Sequence, residues 1–191
     1  MRQAKIVRNT KETSIELTLA LDGNGCFEGT SGIGFFDHML ELFCHHGHMS
    51  MVLSCTGDLQ VDGHHTVEDI GICLGDALRE CLGDKNGIAR YASFFLPMDE
   101  SLAEIHLDIS NRPYLVWNVQ QLPAMVGTFD TQMLEEFFRA VCVRAGLTLH
   151  VCVRYGENGH HMVEAIFKGW ARALAQACTV TGQSASSKGL L

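Results

Sequence analysis

The sequence predicts an α+β fold made by internal duplication, with two sheets and four main helices sharing one core. Three observations point to it. His64 to Leu78 reads HHTVEDIGICLGDAL and His160 to Leu174 reads HHMVEAIFKGWARAL, so His, His, Val, Glu, Ile, Ala and Leu recur in one ungapped register. Upstream of each copy lies a stretch in which apolar residues alternate with polar ones, the period of a half-buried strand. Between that stretch and the copied segment, each half carries one further helix.

The first strand is expected over Glu12 to Leu21, with Ile15, Leu17, Leu19 and Leu21 on one face. Its partner in the second half runs from Glu100 to Ile109, with Ala103, Ile105, Leu107 and Ile109 inward. The first helix is expected over Phe36 to His46, carrying Met39, Leu40, Leu42 and Phe43 and stopping before Gly47. Its counterpart, Thr131 to Ala145, carries Leu134, Phe137, Phe138 and Val141 and stops before Gly146, a natural C-terminal cap. Strands at Met49 to Cys55 and Leu147 to Tyr155 follow, and the two His-His pairs then open the last helix of each half. The halves are expected to join near residues 90 to 98, giving a first half-repeat at 1–92 and a second at 93–191 within one compact unit. Repeats this long are too large for a solenoid unit, so a pseudo-twofold pair around one core is the better reading.

Composition narrows the function. At 191 residues, 47% hydrophobic and 19% charged, the chain has the makeup of an ordinary globular protein. No stretch has the apolar length of a membrane span, and the first residues lead into polar sequence rather than a signal-peptide core, so a cytoplasmic protein without membrane contact is expected. A net charge of −8 argues against nucleic-acid binding, which needs clustered Lys and Arg. It leaves room for a small anionic substrate. Eight cysteines without a Cys-x-x-Cys are expected to be reduced thiols, with Cys73, Cys142 and Cys152 in apolar segments. The glycine-rich stretch from Gly23 to Gly34 has the wrong spacing for a dinucleotide site, and there is no P-loop.

Ten histidines are the compositional oddity, and six of them form three adjacent pairs. On a helix, residues i and i+4 lie nearly above one another, while neighbours diverge by about 100°. His64 and Glu68 can therefore approach one metal ion while His65 points elsewhere, and the same holds for His160, Glu164 and His161. Two pseudo-symmetric copies could supply a mixed set of donors to each of two ions. Capped or solvent-facing histidines would explain one such pair. In-register repetition of both His and Glu is harder to explain that way. Nitrogen and carboxylate donors without thiolate suit manganese, iron, nickel or zinc. His38 opens the first helix as a further candidate ligand, and the matching stretch of the second half, Leu134-Glu135-Glu136-Phe137-Phe138, offers only a carboxylate. His45 and His46 close the first helix, where a cation offsets its dipole. Arg90, Arg112, Lys168 and the tail around Ser186-Ser187-Lys188 are the cationic and polar candidates for an anion, although surface placement alone would explain each of them.

Taken together, ordered motifs along essentially the whole chain closely resemble the imidazoleglycerol-phosphate dehydratase family. They include Arg8-Asn9-Thr10-Lys11-Glu12-Thr13, Gly32 to Leu40, His64 to Asp69, Gly83-Asp84-Lys85, Pro97-Met98-Asp99-Glu100, Asp108-Ile109-Ser110, Arg112-Pro113, Gly156-Glu157-Asn158 with His160-His161, and Ser186-Ser187-Lys188-Gly189. The resemblance implies a duplicated fold like domain 2 of ribosomal protein S5. It implies a hydro-lyase of histidine biosynthesis that dehydrates imidazole glycerol phosphate to imidazole acetol phosphate with two manganese ions per active site. It further implies a homo-oligomer of twenty-four subunits with sites at the interfaces. Carried over by position, His38, His64, His65, Glu68, His160, His161 and Glu164 match metal positions. Glu136 stands where many members have His. Glu12 matches a substrate-contacting acid or base, and His38, His65, Glu68 and Glu164 are counted with it as catalytic positions. His46, Arg90, Arg112, Lys168, Ser186, Ser187 and Lys188 match substrate or phosphate contacts. Gly63 and Asn111 depart from the family's common Asp and Gly. A metal-storage or metal-sensing protein would account for the histidines but leaves Glu12 and the cations without purpose. A metallohydrolase would use the same donor types with a different product.

Overall fold

A computed structural model describes residues 2–120 and 122–183, so Ser186, Ser187 and Lys188 lie outside the described residues. The first sheet is built from β1 (Gln3–Asn9), β2 (Thr13–Ala20), β3 (Phe27–Thr30) and β4 (Ser50–Gly57), in the order β1-β2-β4-β3. The second uses β5 (Tyr91–Met98), β6 (Ser101–Asp108), β7 (Tyr114–Asn118) and β10 (Thr148–Tyr155), in the order β5-β6-β10-β7. In each, the first three strands of the order are antiparallel and the last joins in parallel. β8 (Met125–Val126) and β9 (Phe129–Asp130) form a small hairpin between β7 and β10 in sequence. The repeat is thus visible as one topology drawn twice.

The helices are α1 (Gly34–Gly47), α2 (His64–Leu82), α3 (Gln132–Ala145) and α4 (Gly159–Ala177). Helix α2 covers β1 and β2, and α4 covers β5 and β6. The shorter helices cross over: α1 of the first half packs on α4 of the second, and α3 of the second packs on α2 of the first. This exchange fuses two half-cores into one. Phe36, Phe43, Phe137, Phe138, Phe167 and Trp170 meet at its centre, with Phe43 stacked on Trp170 at 4.4 Å between ring centroids. Burying such rings contributes about 1.5–3 kcal/mol each before cavity terms.

The inward faces of the two long central strands are as the alternation predicts: Ile15, Leu17, Leu19, Ala103, Ile105 and Leu107 are buried. Edge strands were less visible. In β1 only Ala4 is buried, and β7 has no fully buried residue, so neither carries a clean period-two signal. Helix α3 ends at Gly146 in the left-handed region, as expected. Helix α1 does not stop before Gly47: it includes Gly47, and His48 adopts the left-handed turn instead, at φ 53°. Gly47 answers to packing, since a Cβ there would meet Met49 Cε at 3.1 Å and Ala171 O of α4 at 3.4 Å.

All eight cysteines are free thiols. Burial pushes the Cys73 and Cys142 thiols up to about 12, which makes them core residues rather than nucleophiles. Cys152, expected in the core, is only half-buried.

Candidate functional site

Because α1 lies on α4, His38 near the start of α1 arrives beside His160 and Glu164 on α4. Both histidines turn Nε2 toward one atom: His38 Nε2 lies 2.9 Å and His160 Nε2 3.3 Å from Glu164 Oε1. The donor atoms of His38, His160 and Glu164 all fall within 4.8 Å of one another. Asn158 caps the helix by accepting from the His160 N–H, which fixes the first turn that carries the pair. The other oxygen of Glu164 accepts from Lys168 Nζ at 2.7 Å, one turn further on. Burial pushes the Glu164 carboxyl up, but the hydrogen bonds from Lys168 and His38 and the Lys168 charge outweigh it and hold it at about 2. At neutral pH this carboxylate is ionised and flanked by two imidazoles.

The same plan is repeated where α3 lies on α2, but it is open. His64 Nε2 is 3.8 Å from Glu68 Oε2, and both side chains are nearly half exposed. Glu136 of α3 occupies the place that His38 has on α1. Its carboxylate is drawn toward Arg139 Nε at 3.5 Å. With His64, Asp62, Ile33 and Met133 it borders a cleft of about 640 Å³, and with Glu68 it borders a shallower groove. Lys168 has no counterpart on α2, where the matching residue is Ile72. Among the described residues only the His38, His160 and Glu164 donors converge as tightly as 4.8 Å.

The second histidine of each pair turns away from these clusters. His65 Nδ1 faces Asp58 at 3.0 Å, and its Nε2 looks toward Glu12 at 3.8 Å. His161 Nδ1 faces Glu100 at 2.8 Å. The hydrogen bond to Asp58 raises the His65 pKa, and that to Glu100 raises His161. Reading the sequence missed Asp58 and Glu100. The one available signal was that Glu100 opens its alternating strand at the place Glu12 has in the first half.

The cations fall into two groups. Arg90, buried and in the left-handed region at φ 74°, makes a two-pronged pair with Asp108 at 2.7 and 3.2 Å. Arg112, 70% exposed, reaches the same carboxylate at 3.4 Å, so two guanidiniums share one negative charge. Lys168 belongs to the α1–α4 cluster, and His46 sits on α1 in the field of Arg172 and Lys168, where burial first and those charges second lower its pKa.

Comparison with known proteins agrees with this architecture. The family profile described as imidazoleglycerol-phosphate dehydratase matches residues 31–174. The imidazoleglycerol-phosphate dehydratase of Heliobacterium modesticaldum is 52% identical over 195 residues, covering 100% of both chains. That of Oceanobacillus iheyensis is 56% identical over 180 residues, covering 94% of this chain and 93% of its own. The crystal structure of the Staphylococcus aureus enzyme superposes with a TM-score of 0.85 at 41% identity, covering 94% of this chain and 99% of that one. The Pyrococcus furiosus enzyme, solved in complex with (S)-C348, gives a TM-score of 0.83 at 37% identity, covering 97% and 100%.

These likenesses define the class as a hydro-lyase, an enzyme that eliminates water. The chain belongs to the imidazoleglycerol-phosphate dehydratase family, which supplies a dehydration step of histidine biosynthesis.

Proposed function

We propose that this chain dehydrates imidazole glycerol phosphate to imidazole acetol phosphate, using two manganese ions per active site, in the cytoplasm. The observation that carries the metal reading is the convergence of His38, His160 and Glu164 on one point, with Glu164 held ionised. The donors fit manganese: imidazole nitrogen and carboxylate oxygen, with no thiolate among them. In the second site the ligands would be His64, Glu68 and Glu136, with an oxygen donor in place of an imidazole. Held there by these side chains, manganese would supply Lewis acidity to the substrate's imidazole ring.

The chain's own groups do the rest. The proton to be lost sits on an unactivated carbon, and Glu12, 53% exposed at the mouth of β2, is free to take or return it. Arg90, Arg112 and Lys168, with Ser186, Ser187 and Lys188 of the tail, hold the phosphate and orient the reacting end from a distance. His46 completes the substrate contacts from α1. His65 and His161 stand outside their own chain's clusters. As metal ligands they need a second copy to complete the set, which supports sites shared at interfaces of a twenty-four-subunit assembly. No described helix is long and apolar enough to cross a membrane.

The test is direct. Metal-stripped protein is assayed for loss of imidazole glycerol phosphate with and without added manganese. Turnover restored by manganese is expected; full turnover in the stripped protein sinks the reading.

A further inference from the structure

Strand register matches the two halves residue by residue around the second histidines. Ile15 pairs with Cys55, Ser14 with Thr56 and Thr13 with Gly57. In the second half Ala103 pairs with Val153 and Leu102 with Tyr155, the residue between them being a bulge. Gly57 therefore corresponds to Gly156, as their packing confirms: a Cβ on Gly57 would meet Thr66 Oγ1 at 2.0 Å, and one on Gly156 would meet the corresponding Met162 Cγ at 2.5 Å. It follows that Asp58 corresponds to Glu157, Thr13 to Ser101 and Glu12 to Glu100.

The corresponding carboxylates do different things. In the second half Glu100 Oε2 lies 2.8 Å from His161 Nδ1, and its other oxygen accepts from Ser101 Oγ at 2.8 Å and from the backbone N–H of Asn158 at 2.9 Å and Glu157 at 3.3 Å. In the first half that work has moved. Asp58 takes His65 Nδ1, while the Thr13 hydroxyl is drawn off to Asp69 at 2.5 Å, a buried carboxylate that also pairs with Arg8 at 2.9 Å. The residue corresponding to Asp69 on α4 is Ala165, which cannot accept, so Ser101 turns to Glu100 instead. Glu12 is left without the ties that pin Glu100.

We infer that Glu100 and Asp58 are positioning residues that fix His161 and His65 with Nδ1 protonated and the Nε2 lone pair presented outward to a metal ion. We infer also that the transfer of this duty from Glu12 to Asp58 is what leaves Glu12 free to act on substrate. A carboxylate can only accept, so it selects the Nδ1–H tautomer, and an outer partner of this kind stiffens a ligand and raises its basicity. The inference rests on the manganese reading above, and it adds which residues set the two histidines.

An amide at either position is close in shape but can offer N–H to Nδ1. That stabilises the tautomer whose Nε2 carries the proton and cannot bind metal. Metal-stripped full-length protein is titrated with manganese alone, by calorimetry or by the loss of the free-ion spin-resonance signal. Glu100→Gln and Asp58→Asn are expected to weaken manganese binding by about 10–100-fold while thermal unfolding stays near the parent's. Glu157→Gln, at the residue that corresponds to Asp58 but whose side chain does not touch Nδ1, is expected to bind manganese as the parent does. Parent-like affinity in both Glu100→Gln and Asp58→Asn overturns the assignment, as does equal weakening in Glu157→Gln. Turnover by the unaltered chain judges the dehydratase reading separately, because affinity is read without substrate. A parent that binds no manganese removes both.

Discussion

The α1–α4 and α2–α3 clusters are built on one plan, yet one is closed and the other open. In the first, two imidazoles and a lysine surround a buried carboxylate that is already ionised. In the second, Glu136 replaces the imidazole, Arg139 draws it aside, Ile72 stands where the lysine would be, and His64 and Glu68 remain 3.8 Å apart. A duplicated fold therefore need not give duplicated sites. The backbone repeats because its core must close twice over, whereas each polar cluster needs only to be satisfied locally and is free to diverge.

The largest expected effect separates chemistry from structure. Glu12→Gln should lower turnover by about 10²–10⁴-fold, the range of a general acid–base group, while steady-state kinetics at saturating manganese show KM little changed. Equal turnover would remove Glu12 from the reaction and make the divergence from Glu100 meaningless.

Ligand removal sharpens the contrast between clusters. His38→Ala should weaken manganese at the closed cluster by at least the 10–100-fold typical of outer-sphere changes, and Glu136→Ala should weaken the open one by less. Equilibrium dialysis against manganese resolves the two, and equal losses would mean that the clusters are equivalent after all.

Stability of the metal-free chain gives a smaller difference with a definite sign. The folded Glu164 pKa lies near 2 against an ordinary 4.5, so its contribution is present above about pH 4.5 and is lost as pH falls toward 2. Glu164→Gln should cost about 1–3 kcal/mol at pH 7 by urea denaturation, and the gap from the parent should narrow between pH 5 and pH 3. Glu68→Gln, at an exposed site, should change stability by no more than about 0.5 kcal/mol. A moderate effect is expected at Arg112, whose guanidinium is mostly exposed and shares Asp108 with Arg90. Arg112→Ala should raise KM by about tenfold with kcat nearly kept, the loss of one charge-assisted contact to a phosphate.

Much of this was legible in the sequence. The copied segment, the two central strands and the four helices follow from hydrophobic periodicity, because those elements each bury one continuous face. Edge strands β1 and β7 were hidden because they bury little. Gly47 misled because a glycine at a helix end can answer to a neighbouring helix as well as to a turn. The i, i+4 pairing of His160 with Glu164 could be read from spacing, as could the divergence of His65 and His161 from their neighbours. What could not be read was the crossing of α1 onto α4, which brings His38 to Glu164 across 126 positions of chain. Asp58 and Glu100 were hidden for the same reason: their role depends on strand register, including a bulge at Val153 to Tyr155 that shifts the second half by one residue.

The central claim is that two unequal metal sites serve one dehydration. Titrating metal-stripped protein with manganese while following conversion of imidazole glycerol phosphate tests it most directly. The account predicts two ions per active site, bound in two steps of different affinity, with turnover reaching its maximum only when the second is filled. Full turnover with the first ion alone, or none at any manganese concentration, would contradict it.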